Sequence, residues 1–547
     1  MTRLHRRARA LFAASAVALV TGSLTAATGP AAEPAAGSSG HAPYSAAASA
    51  TVTGTAPTAV HVQWGECPPG TFDNERCGTI RAPLDHDRPG DTRSVTIGVS
   101  RSAATGSAEE RQGVLVVNFG GPGAAAVGAA AAFAQALPED VRRAYDIIGF
   151  DLRGRGTSSR LDCLDMATFA KAPKPDTALT TLAGQRAISE AARVFAEGCE
   201  ADAPEMLPYL TTRQIAGDLD LVRAAFGEEK INYLGYSYGT YLGAVYAQFH
   251  PDRVRRMVLD SIVDPTRVWY QAGLDQAHAF WLRWHDWADW AARHDAVYGL
   301  GDSREAVLMA WNDMRESAAA APVDGEFGGT EFDVVTIMSL YSDRAWPRFT
   351  AALSAYQGTG DATELRELKG TSTIEHENTD SVFHAVTCAD APAPDNLAVF
   401  VADTVRLKAE YGYLGANIAA AGPCLHLQSN TRPPVRIGGR DLPAMLLIQS
   451  EKDPATPYAG ALHLRERMPS ARLLTVEGSG NHGQFVGGGQ CVDTAAAAYL
   501  TRGELPGTDT TCPGLPPPEP TPPSAASEEV RGVPHPALDG LTGRGRG

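Results

Sequence analysis

The sequence is short of positive charge: 47 Lys and Arg stand against 63 Asp and Glu over 547 residues, a formal net charge of −16. A nucleic-acid-binding chain carries a basic stripe, so that class is excluded as the main activity. There is no Cys-x-x-Cys pair and no His-Glu-x-x-His run, which removes the commonest zinc and dithiol signatures. No metal or other cofactor is expected. After the first residues no apolar run approaches the roughly 20 residues that a membrane span needs, and no internal repeat is evident. A glycine-rich loop is present, but no Gly-Lys-Ser/Thr follows it, so a phosphate-binding loop is disfavoured.

What is present describes an exported globular protein. Hydrophobic residues make up 44% and charged residues 20%, an ordinary balance that supports a sizeable core. Arg3, Arg6, Arg7 and Arg9 precede an apolar run from Ala10 to Val20 and small residues through Ala27. That order reads as a cleavable signal over 1–27, the run being too short for an anchor. The mature chain is therefore expected to be secreted, extracellular or cell-wall associated, without a membrane span, and monomeric. Eight cysteines suit an oxidising compartment. They allow 105 pairings; loop length favours the sequence-adjacent couples Cys67/Cys77, Cys163/Cys199, Cys388/Cys424 and Cys491/Cys512.

Residues 28–60 are an Ala-, Gly-, Ser-, Thr- and Pro-rich arm, and 513–547 a Pro-rich tail without a packed core. Between them, apolar runs at 114–118, 145–150, 231–235, 254–260, 444–449 and 472–476 alternate with helical stretches such as 213–226 and 241–249. Continuous rather than alternating apolar runs suit strands buried on both faces, and the alternation predicts an α/β fold with a doubly wound, mostly parallel sheet. The rhythm stops at 265 and resumes near 442. The expected layout is a core in two parts, 61–265 and 436–512, with a large, mainly helical insertion at 266–435 acting as a lid. Trp281, Trp284, Trp287 and Trp290 recur inside it at a spacing that reads as helix packing.

The chemistry centres on Gly235-Tyr236-Ser237-Tyr238-Gly239. A Gly-x-Ser-x-Gly pattern is weak by itself, but this one follows a strand and opens a helix, as a nucleophile elbow must. A serine needs a base and an orienting acid. In this fold they follow in the order Ser, Asp, His, which picks out Asp453 after the strand at 444–449 and His482 after the strand at 472–476. Asp260 and Asp264 are rival acids; His250, His384 and His463 are rival bases. Asn118-Phe119-Gly120-Gly121-Pro122-Gly123 supplies a glycine pair where backbone N–H groups can meet an oxyanion, with the N–H of Tyr238 as second donor. Asp151 and Arg153 read as braces for the active-site loops.

Taken together, these residues resemble the secreted tripeptidyl aminopeptidases of actinobacterial type and their carboxylesterase-like relatives, which are cousins of prolyl aminopeptidase among the α/β hydrolases. The resemblance runs from about Trp64 to Cys512, and its most specific stretches are Asp218–Arg223, Gly235–Thr240, Met257–Asp260, Val263-Asp264-Pro265, Asp453–Pro457 and Gly480–Gly483. It implies an α/β-hydrolase fold with Ser237, Asp453 and His482 as nucleophile, acid and base, and Gly121 and Tyr238 as oxyanion donors. Release of tripeptides or similar short peptides from free N-termini through an acyl-enzyme is the implied activity. Phe119 replaces the His of the His-Gly-Gly-Pro-Gly loop of prolyl aminopeptidases, which turns the reading away from strict proline removal. An exopeptidase also needs a carboxylate for the substrate's ammonium group; Asp390 and Glu451 are the candidates. Two other readings stay open: a secreted carboxylesterase or lipase-like hydrolase, and a non-catalytic binding protein on the same fold.

Overall fold

A computed structural model describes residues 60–427 and 433–521. The signal at 1–27, the arm up to residue 59 and the tail after residue 521 lie outside the described residues. Ten strands form one sheet: β1 (Gln63–Gly65), β2 (Glu75–Pro83), β3 (Ser94–Ser102), β4 (Gly113–Asn118), β5 (Tyr145–Phe150), β6 (Ile231–Tyr236), β7 (Val254–Asp260), β8 (Leu446–Ser450), β9 (Arg472–Glu477) and β10 (Thr510–Pro513). Their order is β1-β2-β3-β5-β4-β6-β7-β8-β9-β10. The first three are antiparallel to their neighbours, and every pairing from β5 to β10 is parallel.

Every residue of β4, β5, β6 and β8 is buried, as parallel strands covered on both faces require. One face packs on helices Thr212–Ala225 and Tyr238–Phe249 through Ile215, Leu219, Leu242 and Val245. The other packs on helices Ala130–Ala136 and Gln490–Arg502 through Phe133, Val492 and Leu500. β2 and β3 alternate buried with exposed residues over part of their length, the mark of strands with one wet face.

Between β7 and β8 the described residues contain helices and no named strand. They enclose an apolar core of their own, with Trp284, Trp287, Trp290, Trp311, Trp346 and Phe349 buried. Each fully buried indole contributes about 4–6 kcal/mol of apolar burial before entropy is subtracted. Three of them also satisfy their N–H: Trp287 Nε1 donates to Thr350 Oγ1 at 3.0 Å, Trp311 Nε1 to Thr336 Oγ1 at 3.1 Å, and Trp290 Nε1 to the Pro518 carbonyl at 2.9 Å.

That last bond departs from the sequence reading of a free tail from residue 513. Gly514 N donates to Glu477 O at 2.9 Å, and Thr521 N donates to Tyr298 Oη at 3.0 Å. Prolines remove donors but leave carbonyls, so this segment gives up strand pairing after Pro513 and still offers Pro518 O to an indole. It straps the end of the sheet to helix Tyr270–Arg293.

Four disulfides join Cys67 to Cys77, Cys163 to Cys199, Cys388 to Cys424 and Cys491 to Cys512, and no free cysteine remains. The last holds β10 to helix Gln490–Arg502 across a separation of 21 residues. Replacing Cys491 and Cys512 together by Ala is expected to lower the unfolding free energy by about 3 kcal/mol, read as a lower midpoint in urea. An unchanged midpoint would mean that this loop is already constrained without the bridge.

Candidate active site

Ser237 links β6 to helix Tyr238–Phe249 and has φ 54° and ψ −120°. A non-glycine residue held at positive φ costs on the order of 1–3 kcal/mol. Several bonds hold it there: Ser237 N donates to Asp260 O at 3.0 Å, while Ser237 O accepts from Thr240 N at 2.8 Å and Thr240 Oγ1 at 2.6 Å. The flanking glycines are sterically required. A Cβ on Gly235 would stand 2.4 Å from Gly239 O, and one on Gly239 2.8 Å from Asn118 O. The tight turn therefore presents the serine at the carboxyl end of the sheet and at a helix N-terminus, where partial positive charge gathers.

Asp453 and His482 meet in two loops that leave β8 and β9. His482 Nδ1 lies 3.0 Å from Asp453 Oδ1 and 2.9 Å from Oδ2, and both side chains are fully buried. The carboxylate also accepts from Ala455 N at 2.9 Å, Thr456 N at 3.0 Å and Thr456 Oγ1 at 2.9 Å. It is thus fixed from one side and orients the imidazole from the other. His482 Nε2 is buried and has no hydrogen-bond partner among the described residues, so the ring keeps one nitrogen for a reacting group.

The rival acids and bases are occupied elsewhere. Asp264 pairs with His463 Nδ1 at 2.7 Å. His250 packs on Tyr246, and burial lowers its pKa. His384 packs edge-on against Phe195 and Phe383, and burial holds it down at about 4. Asp260 is different. Its Oδ2 accepts from Gln484 N at 2.8 Å and Phe485 N at 2.6 Å, and the Ser261 hydroxyl accepts from Gly483 N at 2.7 Å. The end of β7 therefore grips the three residues after His482. Burial pushes the Asp260 carboxyl up to about 7, against the two amides that pull it down.

The glycine loop lies directly on the elbow. A Cβ on Gly120 would stand 2.9 Å from Ser237 Cβ and 3.5 Å from Tyr238 N. Gly120 N is taken by Asn118 Oδ1 at 3.0 Å, and Phe119 is buried edge-on against Phe133, which anchors the loop where related loops use His. Asp151 braces it by accepting from Ala126 N at 3.0 Å and Val127 N at 3.1 Å. Arg153 is buried farther off against Asp218, at 2.7 Å.

The two carboxylates considered for a substrate amine sit differently. Asp390 accepts from Thr212 N at 2.6 Å, Thr212 Oγ1 at 2.5 Å and Trp269 Nε1 at 3.2 Å. Those donors take three of the roughly four acceptor positions of a buried carboxyl, which thereby caps helix Thr212–Ala225. Glu451 is exposed and accepts from Gly478 N at 2.7 Å.

Sequence reasoning passed over the residues that tie the helical insertion to His482. Its N–H donates to Tyr341 O at 2.8 Å, and the Tyr341 ring meets the imidazole edge-on at 5.2 Å. Asn481 Oδ1 accepts from Asp343 N at 2.8 Å and from Arg283 at 3.3 Å. Arg283 lies so close over Gly480 that a Cβ there would stand 2.4 Å from its guanidinium carbon. The Gly480-Asn481-His482 run was the available signal: a glycine two residues before His482 leaves room for another element.

Comparison with known proteins adds the relatives. The model of the α/β-hydrolase fold family matches residues 113–488. A tripeptidyl aminopeptidase of Streptomyces lividans is 40% identical over 450 residues, covering 80% of this chain and 83% of that one. Serine protease Hip1 of Mycobacterium tuberculosis is 30% identical over 461 residues, covering 80% and 87%. Carboxylesterase B of the same organism is 32% identical over 459 residues, covering 80% and 86%.

Asp260 gives a stability test. Its folded pKa of about 7 lies above the ordinary 3.8, so its contribution is intact below about pH 4 and is lost as pH rises through 7. A shift of that size corresponds to roughly 4 kcal/mol as an upper figure. Asp260→Asn keeps an acceptor oxygen and removes the charge. The variant should gain stability over wild type as pH rises from 4 to 8, measured by urea unfolding at each pH; parallel curves would rule this out.

Proposed function

From the premise that this chain belongs to the α/β-hydrolase fold family and, within it, to the family of the tripeptidyl aminopeptidases, we propose that it is a serine exopeptidase releasing tripeptides or similar short peptides from free N-termini. The observation that carries this reading is the buried Asp453–His482 pair with Nε2 left unpartnered, in loops that follow the elbow of Ser237 in the order the fold uses.

In the proposed mechanism Ser237 Oγ attacks the scissile carbonyl while His482 Nε2 takes the hydroxyl proton. Asp453 holds the ring in one tautomer and stabilises the imidazolium that forms. The N–H groups of Gly121 and Tyr238 receive the oxyanion; neither has an acceptor of its own among the described residues, and each such donor contributes about 3–4 kcal/mol to the barrier reduction. His482 then passes its proton to the leaving amine as the C–N bond breaks. Water attacks the acyl-enzyme, giving up its proton to His482, and the peptide leaves as a carboxylate while Ser237 regains its hydrogen. The helical insertion acts as the lid that bars long N-terminal extensions.

Four disulfides fit an oxidising compartment, and among the described residues no helix is long and apolar enough to cross a membrane. The disulfides support action in a secreted setting, and the tripeptidyl aminopeptidase relative supports peptide substrates. The similarity to carboxylesterase B keeps an ester-cleaving reading in play, since both reactions are acyl transfer.

Ser237→Ala is expected to lower kcat by about a million-fold if the three residues act as a unit, with folding unchanged by circular dichroism; a variant that keeps most of its activity would refute the assignment of the nucleophile. Chromogenic tripeptides with free and N-acylated amino groups separate the two acyl-transfer readings. Strong preference for the free amine is expected, and equal turnover of the blocked substrate would replace the exopeptidase by an esterase or endopeptidase.

A further inference from the structure

One carboxylate near the elbow has no partner. Asp380, on helix Ile374–Asp390, is exposed and makes neither a hydrogen bond nor an ion pair among the described residues. The charge that acts on it is Lys174, whose own ammonium is held back by the Phe169 carbonyl at 2.6 Å and the Phe169 ring at 5.4 Å. Protein surrounds Asp380 densely enough for burial to push its carboxyl up to about 6. The carboxylate is thus open to water yet has dense protein beside it, a setting in which an ion pair is screened less than on an open surface. One turn on, Phe383 is also exposed, at 39%, and gives the same helix face an apolar neighbour.

The turn of the helix that bears Asp380 is tied to the nucleophile through the glycine loop. A Cβ on Gly123 would stand 3.0 Å from Thr379 O and 3.2 Å from Val382 Cβ, and one on Gly120 stands 2.9 Å from Ser237 Cβ. Ala124 N donates to Gly120 O at 3.2 Å, so the loop folds back and keeps its two ends close. Arg155 locks the contact, donating to Gly123 O at 2.8 Å and to Asn378 Oδ1 at 2.6 Å. By chain geometry the turn bearing Asp380 lies roughly 10–15 Å from the nucleophile. Three extended residues span about 10 Å, so a tripeptidyl group on Ser237 carries its amine to that range.

We propose that Asp380 receives the protonated α-amino group of the peptide substrate and so sets how many residues fit between that group and Ser237. The proposal rests on the exopeptidase reading above and goes beyond it by placing the specificity in one side chain. Asp390 differs in already accepting from Thr212 N, Thr212 Oγ1 and Trp269 Nε1.

The test uses the full mature chain, Asp380→Asn and Asp380→Ser, with di-, tri- and tetrapeptide p-nitroanilides and the N-acetyl tripeptide. Labelling of Ser237 by a fluorophosphonate counts folded sites in each variant. Expected is a fall of about 10- to 100-fold in the ratio of kcat/KM for free over acetylated tripeptide, as loss of a charged hydrogen-bonded pair requires. The fall should sit in KM, and the preference for three residues should relax. A variant that labels fully and keeps the wild-type ratio overturns the proposal, as does an equal loss on both substrates through kcat. Wild-type protein that turns over the acetylated tripeptide as fast as the free one overturns the exopeptidase reading itself, and the anchor with it.

Discussion

The site depends on one residue at the end of β7 acting through both its main chain and its side chain. Asp260 O accepts the amide of Ser237, and Asp260 Oδ2 accepts the amides of Gln484 and Phe485. The strained turn that presents the serine and the loop that presents His482 are therefore referred to the same rigid strand. Sheet strands are stiff because their backbone groups are paired on both sides, and a loop referred to a strand inherits that stiffness. The arrangement costs stability: burial pushes the carboxyl up to about 7, and its ionised form is held chiefly by the amides of Phe485 and Gln484. A fold selected for stability alone has no use for a charge there.

The opposite side of the His482 loop is referred to the helical insertion. Tyr341 O accepts the His482 amide, and Arg283 and Asp343 N converge on Asn481. Arg283 itself is stacked 4.3 Å over Trp346, inside the apolar cluster that the insertion builds for itself. Seating the insertion and fixing His482 are thus the same packing event. The Pro-rich segment adds a third tie, since it leaves β10 beside β9 and ends on Trp290 and Tyr298 of the insertion.

How much of this was legible in the sequence follows from the kind of signal each part leaves. The parallel strands β4 to β9 announced themselves as continuous apolar runs, because burial on both faces excludes polar residues from them. The antiparallel strands β1 to β3 and the edge strand β10 did not: Glu75-Arg76-Cys77-Gly78-Thr79 begins with two charged residues and has a glycine in mid-strand, and Thr510-Thr511-Cys512-Pro513 is short and polar. Ser237, Asp453 and His482 lie at strand ends separated by whole structural units, a spacing that chain order preserves. Arg283, Tyr341, Asp380 and Asp390 come from an insertion whose helices fold back on the core, and no local pattern states where a helix will land. For that reason Asp390 looked open from its sequence neighbourhood, while its actual neighbours, Thr212 and Trp269, are more than a hundred residues away. A carboxylate's role depends on which donors reach it in space, and that is a tertiary fact.

The same point explains why one chain joins a hydrolase core to so large an insertion. A sheet edge with a serine, a histidine and an aspartate can cleave any acyl bond that reaches it, and chemistry of that kind has no preference for chain ends. Preference requires a second fixed point at a set distance from the first. Helix Ile374–Asp390 meets that need because its middle turn rests on the glycine loop through Gly123, and its last residue caps the helix that lies beneath Tyr238. Any group carried on its open face is therefore held at constant range from Ser237, with little freedom to adapt to a longer or shorter substrate. A ruler of that kind is as accurate as its two anchorages, here a close approach at Gly123 and the Asp390 carboxylate held by Thr212.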